Sequence, residues 1–444
     1  MRAPALLAIA HAVLAARLGG LAAAAARASD SPWAHDWATP ASMRWGYGAM
    51  NGGGVLSDAD VAYAARTYRV VVLSACLGAG NASVAAAIMG VAARLKAAAP
   101  AMRVLMYFNM QQWACYARDE PDFAYFLARP EWWLRTDAGA PVLNNGSPEF
   151  DWTVPAAAAY FAALPVAPPG GGAPVLDGFL LDGAAVYQPE AGVSAARAEA
   201  QKLAKWAAVG ALQARLAALN GGLALANGIA GGPIDPFAND PFNLGVLAHA
   251  DAVENERGSP AFELVDAATG ALRKDAVAAN LAAVERVANG TKALFANYWP
   301  GPIVGFGAGG WPTFAPGDRA NVAPSGTPAE VVAGWTALLE KWLPFNLAAF
   351  LTVAGPATYF TQAAWYASYQ GFAPCPAAPG TCVDPAYPDL QRSLGPPRGP
   401  RAQVGAYKWV REFEHASVSL DLDDPLGPGT AIAWRAPREG SAIR

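Results

Sequence analysis

VLDGFLLDG, residues Val175–Gly183, places an apolar core, Phe179-Leu180-Leu181, between two aspartates, Asp177 and Asp182. The core is too short to be a helix of its own, and a run this apolar suits a strand buried on both faces. Asp182 then falls where the strand stops, with Gly183 directly after it. A carboxylate at the end of a buried strand is either a cap for the next turn or a group placed to face a ligand.

The same rhythm runs outward on both sides. Short apolar runs are predicted as strands at Arg44 to Ala49, Tyr68 to Ser74, Arg103 to Phe108, Gly178 to Asp182, Gly222 to Ala226, Asp251 to Glu254, Ala293 to Asn297 and Leu347 to Val353. Helical patterns separate them at Asp58 to Thr67, Ala82 to Ala98, Ala195 to Leu219, Lys274 to Ala288 and Pro328 to Trp342. Alternation of strand and helix predicts a parallel sheet. Eight such strands with long loops after them suit an α/β protein of the (β/α)8 TIM-barrel type. An open doubly wound sheet is the alternative. The tail, with EFEHASVSLDLDD and TAIAWR around a Pro425–Gly429 turn, reads as a small β appendage.

Composition fits one large core. Of 444 residues, 54% are hydrophobic and 15% charged, much of the apolar count being alanine. The net charge of −4 and the lack of a basic run argue against nucleic acid as a partner. The N-terminal MRAPALLAIAHAVLAARLGGLAAAAARA has a basic start, an apolar centre and a small-x-small site at Ala26-Arg27-Ala28. That reads as a secretory signal cut near Ala28, so the mature protein is expected to be exported. No later stretch offers about 20 uninterrupted apolar residues, so no membrane span is expected after the signal. The expected division is a signal over 1–28, a barrel over 29–400, and a last helix with the β appendage over 401–444.

Cysteine usage agrees with export. Cys375 and Cys382 bound a Pro/Gly loop, CPAAPGTC, whose ends can meet in a disulfide. Cys76 and Cys115 each follow a predicted strand and are read either as a bridge between neighbouring loops or as two buried free thiols. Neither spacing is a zinc pattern. Glycosylation sequons start at Asn81, Asn145 and Asn289.

Several familiar patterns fail on context. Gly305 to Gly310 matches G-x-G-x-x-G but is followed by Trp311-Pro312 and not by a helix, so no helix N-terminus is there for phosphate. The cluster Asp421, Asp423, Asp424 lacks the spacing of a calcium loop. No G-x-S-x-G elbow occurs, and with four histidines in all a triad or histidine metal site has little material. No cofactor and no metal is expected.

What remains is a set of polar residues at strand ends. Asn109, Asp182, Asn227, Glu254 and the pair Asn297-Tyr298 each close an apolar run. In a barrel they would form a ring at the mouth, where ligands bind. Two carboxylates across such a mouth suit glycosidic bond cleavage, one protonating the leaving oxygen and the other attacking the anomeric carbon or activating water. Glu256, two residues past Glu254, is a rival for the second role, and Arg257 beside it would pair with either. Asn and Tyr suit sugar hydroxyls; Trp113, Trp132, Trp299 and Trp311, in predicted mouth loops, suit the apolar faces of pyranose rings. At least two of the four are expected to line the pocket. Asp177, before its strand, belongs to the opposite, stabilising face.

At these residues the chain resembles a largely uncharacterised family of glycosyl hydrolases with (β/α)8 barrels, found in secreted proteins. The pieces are LSDADVAYAARTYRVVVL, MRVLMYFN, RPEWWLRTDAGAPV, FDWTVPAAAAYF, DGFLLDG, LALANG, DAVENE, YPDLQRSLGPPRGP and YKWVREFEHASVSLDL, in family-like order over nearly the whole mature chain. More distantly it is similar to α-galactosidase and polygalactosaminidase barrels. The resemblance implies an aspartate nucleophile ending strand four, at Asp182, and an acid/base carboxylate ending strand six, at Glu254. The expected function is hydrolysis of an oligo- or polysaccharide, with α-linkages, by two carboxylates. A carbohydrate-binding barrel without catalysis is the other reading.

Overall fold

The computed structural model describes residues 31, 33–47, 56–74, 77, 83–111, 121–144, 146–168, 171–184, 192–227, 244–255, 264–266, 268–290, 292–299, 301–306, 312–315, 328–362 and 388–435. Eight strands in that set make one sheet: β1 Met43–Tyr47, β2 Val70–Leu73, β3 Arg103–Asn109, β4 Gly178–Asp182, β5 Leu223–Asn227, β6 Ala252–Asn255, β7 Ala293–Tyr298 and β8 Thr358–Gln362. Each lies parallel to the next in chain order. The sheet closes on itself. Ser42 bridges Phe360 in parallel, and the Phe360 N–H donates to the Ala41 carbonyl at 2.8 Å. The fold is a (β/α)8 barrel.

Strand alternation divides the core into two layers. Val70, Val72, Leu105, Leu180, Leu225, Ala252, Phe295 and Tyr359 fill the barrel interior. The residues between them, such as Val71, Phe179, Leu181, Val253, Leu294 and Phe360, join a larger layer beneath the helices. Those helices are α1 Asp58–Thr67, α2 Val84–Ala98, α3 Pro121–Leu127, α4 Pro155–Ala162, α5 Ala195–Asn220, α6 Lys274–Ala288 and α7 Pro328–Val353. Between β5 and β6 the described residues hold a short 3₁₀ turn, Leu244–Ala248. Helix α1 starts where predicted because Ser57 and Asp60 cap each other: the Asp60 N–H donates to Ser57 Oγ at 3.1 Å and the Ser57 N–H to Asp60 Oδ2 at 2.9 Å.

The glycine that opens β4 has a physical reason. A Cβ on Gly178 would lie 1.9 Å from the Leu223 carbonyl oxygen, and its φ of 151° is one that glycine alone takes easily. Asp177, just before it, accepts from the Val104 N–H at 2.8 Å and pairs with Lys96 at 2.6 Å and Arg103 at 3.1 Å. It ties β3, β4 and α2 together at the N-terminal face, the place expected for it.

Two expectations need correction. Leu347 to Val353 is the last part of the 26-residue helix α7, and the eighth strand comes later, at Thr358–Gln362. LAAFLTV is apolar on all sides because this end of α7 is wholly buried, so it carries no helical period to set it apart from a strand. The described part of 401–444 contains no helix. It forms an antiparallel sheet of four strands, β9 Ala402–Gly405, β10 Lys408–Glu412, β11 Ala416–Asp421 and β12 Ala431–Trp434, packed against α7. Arg411 anchors that sheet: its Nη1 donates to the carbonyls of Leu351 at 3.0 Å, Thr352 at 3.3 Å and Ala354 at 2.6 Å, capping the end of α7.

Residues 1–30, all four cysteines, Asn81 and Asn145 lie outside the described residues, and so the signal, both expected bridges and two of the sequons do too. Asn289, in the third sequon, is exposed at the end of α6. No helix among the described residues is long and apolar enough to cross a membrane.

Candidate active site

Strands β3 to β6 end at one level with one kind of residue. Asn109 pairs in register with Asp182, the β4–β5 ladder runs through Leu181 and Ala226, and Asn227 pairs with Glu254. Each of the four lies two or four residues along its strand from an interior residue, Leu105, Leu180, Leu225 or Ala252, so alternation aims all four into the barrel. On β6 the neighbouring Asn255 takes the other side, its Nδ2 donating to Asn280 Oδ1 of α6 at 2.8 Å. That fixes Glu254 as the inward residue. It is fully buried.

Asp182 is the best-held member. Its Oδ2 accepts from the Tyr107 hydroxyl at 2.6 Å and from Asn109 Nδ2 at 3.0 Å, and its Oδ1 accepts from Asn227 Nδ2 at 2.9 Å. Asn109 is itself oriented, because its Oδ1 accepts the Gln111 N–H at 2.8 Å and so turns the amide nitrogen to the carboxylate. Asn109 Nδ2 also donates to the Tyr107 oxygen at 3.0 Å. A carboxylate with donors on both oxygens cannot rotate freely, which is what a reacting group requires.

One step higher, Asn297 follows Phe295 on the interior side of β7 and pairs in register with Thr361 of β8. It is buried, and its Nδ2 has no acceptor among the described residues. An amide N–H so placed suits a ligand hydroxyl. Tyr298 does not join it. Its ring faces the helix layer against Phe360, and full burial pushes its hydroxyl far above the usual phenol range. Trp299 is buried in the same outer layer, where its carbonyl accepts from Asn346 Nδ2 at 2.9 Å. Trp132 is core as well, packed on Tyr160 and Tyr125. Neither of these two tryptophans stands as a sugar platform. Trp113, Trp311 and Glu256 lie outside the described residues.

Residue pattern alone misses two contributors. Tyr107 stands two before Asn109 and therefore on the same face, a signal that was there to find. Lys205, on α5, is fully buried, and its Nζ donates to the Gly183 carbonyl at 2.5 Å. Burial pulls its ammonium down to about 8, while the carboxylates of Glu149 and Asp182 work in the opposite direction. The signal for it is a lysine on the buried face of an alanine-rich helix. Among the described residues no group of three or more His, Cys, Asp or Glu is arranged to hold a metal.

No protein-family model and no curated protein matches the chain. Solved structures that it resembles include an alpha-amylase from Geobacillus thermoleovorans complexed with acarbose, 10% identical over 87% of this chain and 86% of that one, with a TM-score of 0.43. An alpha-amylase from Anoxybacillus is 9% identical over 87% and 86%, with a TM-score of 0.42. A cyclic alpha-maltosyl-(1→6)-maltose hydrolase from Arthrobacter globiformis, ligand-free, is 11% identical over 90% and 98%, with the same score of 0.42. All three are glycoside hydrolases. Likeness this distant carries no conclusion about chemistry, and the similarity to α-galactosidase barrels gains no support from it.

Proposed function

We propose that the chain is a glycoside hydrolase in which Asp182 and a glutamate at the end of β6, Glu254, act on a glycosidic bond. The observation that carries the reading is the row Asn109, Asp182, Asn227 and Glu254 at the ends of four consecutive strands, with Asp182 gripped by donors from both neighbours. A simple capping role would leave each side chain bonded to its own following turn. Here Asn109, Asp182 and Asn227 bond across strands, Asn109 doing so in addition to its bond to the following turn.

Asp182 is the carboxylate that attacks the anomeric carbon or activates a water on it. Glu254, buried at the end of β6, is the acid/base partner, which hands a proton to the leaving oxygen as the bond breaks. Asn297 supplies a donor for a substrate hydroxyl. The substrate class is an oligo- or polysaccharide, and its α-linkage follows from the sequence resemblance alone. Export is part of the proposal, for residues 1–28 have the pattern of a secretory signal.

The test is a carbohydrate panel read for both binding and cleavage, with wild type beside Asp182→Asn. Cleavage that falls by several orders of magnitude in the variant, with binding retained, supports the reading. Binding without cleavage by the wild type would make the barrel a carbohydrate-binding protein.

A further inference from the structure

Lys205 is a costly residue. Burying an ammonium completely gives up its hydration, and a protein that tolerates this without need would carry methionine or leucine there. Its surroundings show what the charge meets. Helix α5 follows β4 in the chain and packs against β5, and Lys205 reaches from it to the Gly183 carbonyl, the first backbone oxygen beyond Asp182. Gly183 turns the chain with φ +67°, and a Cβ there would come within 2.9 Å of Gln111 Oε1. The strand therefore ends in a tight turn, closed by the Ala184 N–H on the Leu181 carbonyl at 3.3 Å and tied to α5 by Lys205 on the Gly183 carbonyl and by Trp206 Nε1 on the Ala184 carbonyl at 3.1 Å. The same ammonium lies in the field of the Asp182 carboxylate on one side and of Glu149 on the other.

The other charges nearby are engaged elsewhere. Lys202, one turn back on α5, pairs with Glu199 at 2.8 Å. Asp151 accepts from Gln201 Nε2 at 2.5 Å and from Arg197 Nη2 at 3.4 Å. Tyr107 directs its hydroxyl to Asp182.

We propose that Lys205 is a positioning residue for Asp182: its buried ammonium pins the turn that aims the carboxylate and is electrostatically coupled to it. The inference rests on the reading of Asp182 as the reacting carboxylate. It adds a cation on the helix side of the site, opposite the amide donors that face the barrel interior. A lysine on α5 thereby sets an alkaline limit for the site, because the charge is present below a pH of about 8 and lost above it.

Lysine-selective carbon-13 NMR on the full chain tests the coupling without any substrate. The Lys205 signal, assigned by its loss in Lys205→Met, titrates near pH 8 in the wild type. In Asp182→Asn the midpoint falls, because a carboxylate that raises it is gone; in Glu149→Gln it falls as well. An unchanged midpoint in Asp182→Asn overturns the proposal, whatever the protein hydrolyses. Kinetics test the positioning. Lys205→Met should lower kcat roughly ten- to a hundredfold with KM within about twofold, and should abolish the fall of wild-type kcat around pH 8. A Lys205→Met protein with wild-type kcat, when Asp182→Asn is inactive, refutes the positioning role and leaves the glycosidase reading intact. A midpoint that shifts as expected in a protein that cleaves no carbohydrate refutes the glycosidase reading and leaves the coupling intact. If Lys205→Met does not fold, the Asp182→Asn titration, with the signal assigned by exclusion, and the wild-type pH profile decide the matter.

Discussion

Tyr107 makes the shortest of the bonds to Asp182, and its oxygen also accepts from Asn109 Nδ2. Tyr107→Phe keeps the ring and removes the donor. Loss of one such bond in a low-dielectric site is worth about 1–2 kcal/mol, so kcat/KM is expected to fall roughly tenfold with little change in melting temperature. Unchanged turnover would mean that the bond only steadies the fold. At the end of β6 the choice lies between Glu254 and Glu256. A general acid matters most when the leaving group is poor, so Glu254→Gln should damage hydrolysis of natural oligosaccharides far more than that of activated aryl glycosides. Should Glu256→Gln show that leaving-group dependence in its place, the acid is two residues further along.

The segment Trp33–Trp37 shows how an element that carries no chemistry still sets conditions for it. It lies under the barrel, tied to β8 and the turn before it: the His35 N–H donates to the Pro356 carbonyl at 2.8 Å and the Tyr359 hydroxyl to the Trp33 carbonyl at 2.7 Å. Burial pulls the His35 imidazole from its ordinary value down to about 4, with the Arg69 guanidinium adding to the effect. The folded state therefore holds His35 neutral, while the unfolded chain takes up a proton near pH 6.5. Its contribution to stability is complete above about pH 6.5 and is lost as the pH falls toward 4, by up to about 3 kcal/mol. His35→Gln should flatten that acid loss. Melting temperatures of the two proteins between pH 7 and 4 check it: parallel curves would show that His35 is not the group responsible.

Much of the molecule was legible because its elements are regular. GFLLD is a strand with the bounds read from its apolar run, α1 begins at its capping box, and α6 spans the residues that its period indicates. The eighth strand was not legible, since TYFTQ is short and the longer apolar run before it belongs to a buried helix. The site divides the same way. Asn109, Asp182, Asn227 and Glu254 announce themselves as polar residues closing apolar strands. The direction of Tyr298 depends on one residue of register, which placed the adjacent Asn297 inside and the tyrosine out. Lys205 shows in the sequence only as a lysine on the apolar face of α5; its approach to the Gly183 carbonyl comes from folding alone. The proposed chemistry stands on Asp182. Its most direct test is the release of reducing ends from α-linked oligosaccharides by the wild-type protein and by Asp182→Asn, measured side by side on folded samples. Steady release by the wild type and a loss of several orders of magnitude in the variant are expected; equal release by the two proteins would contradict the assignment of Asp182 as the reacting carboxylate.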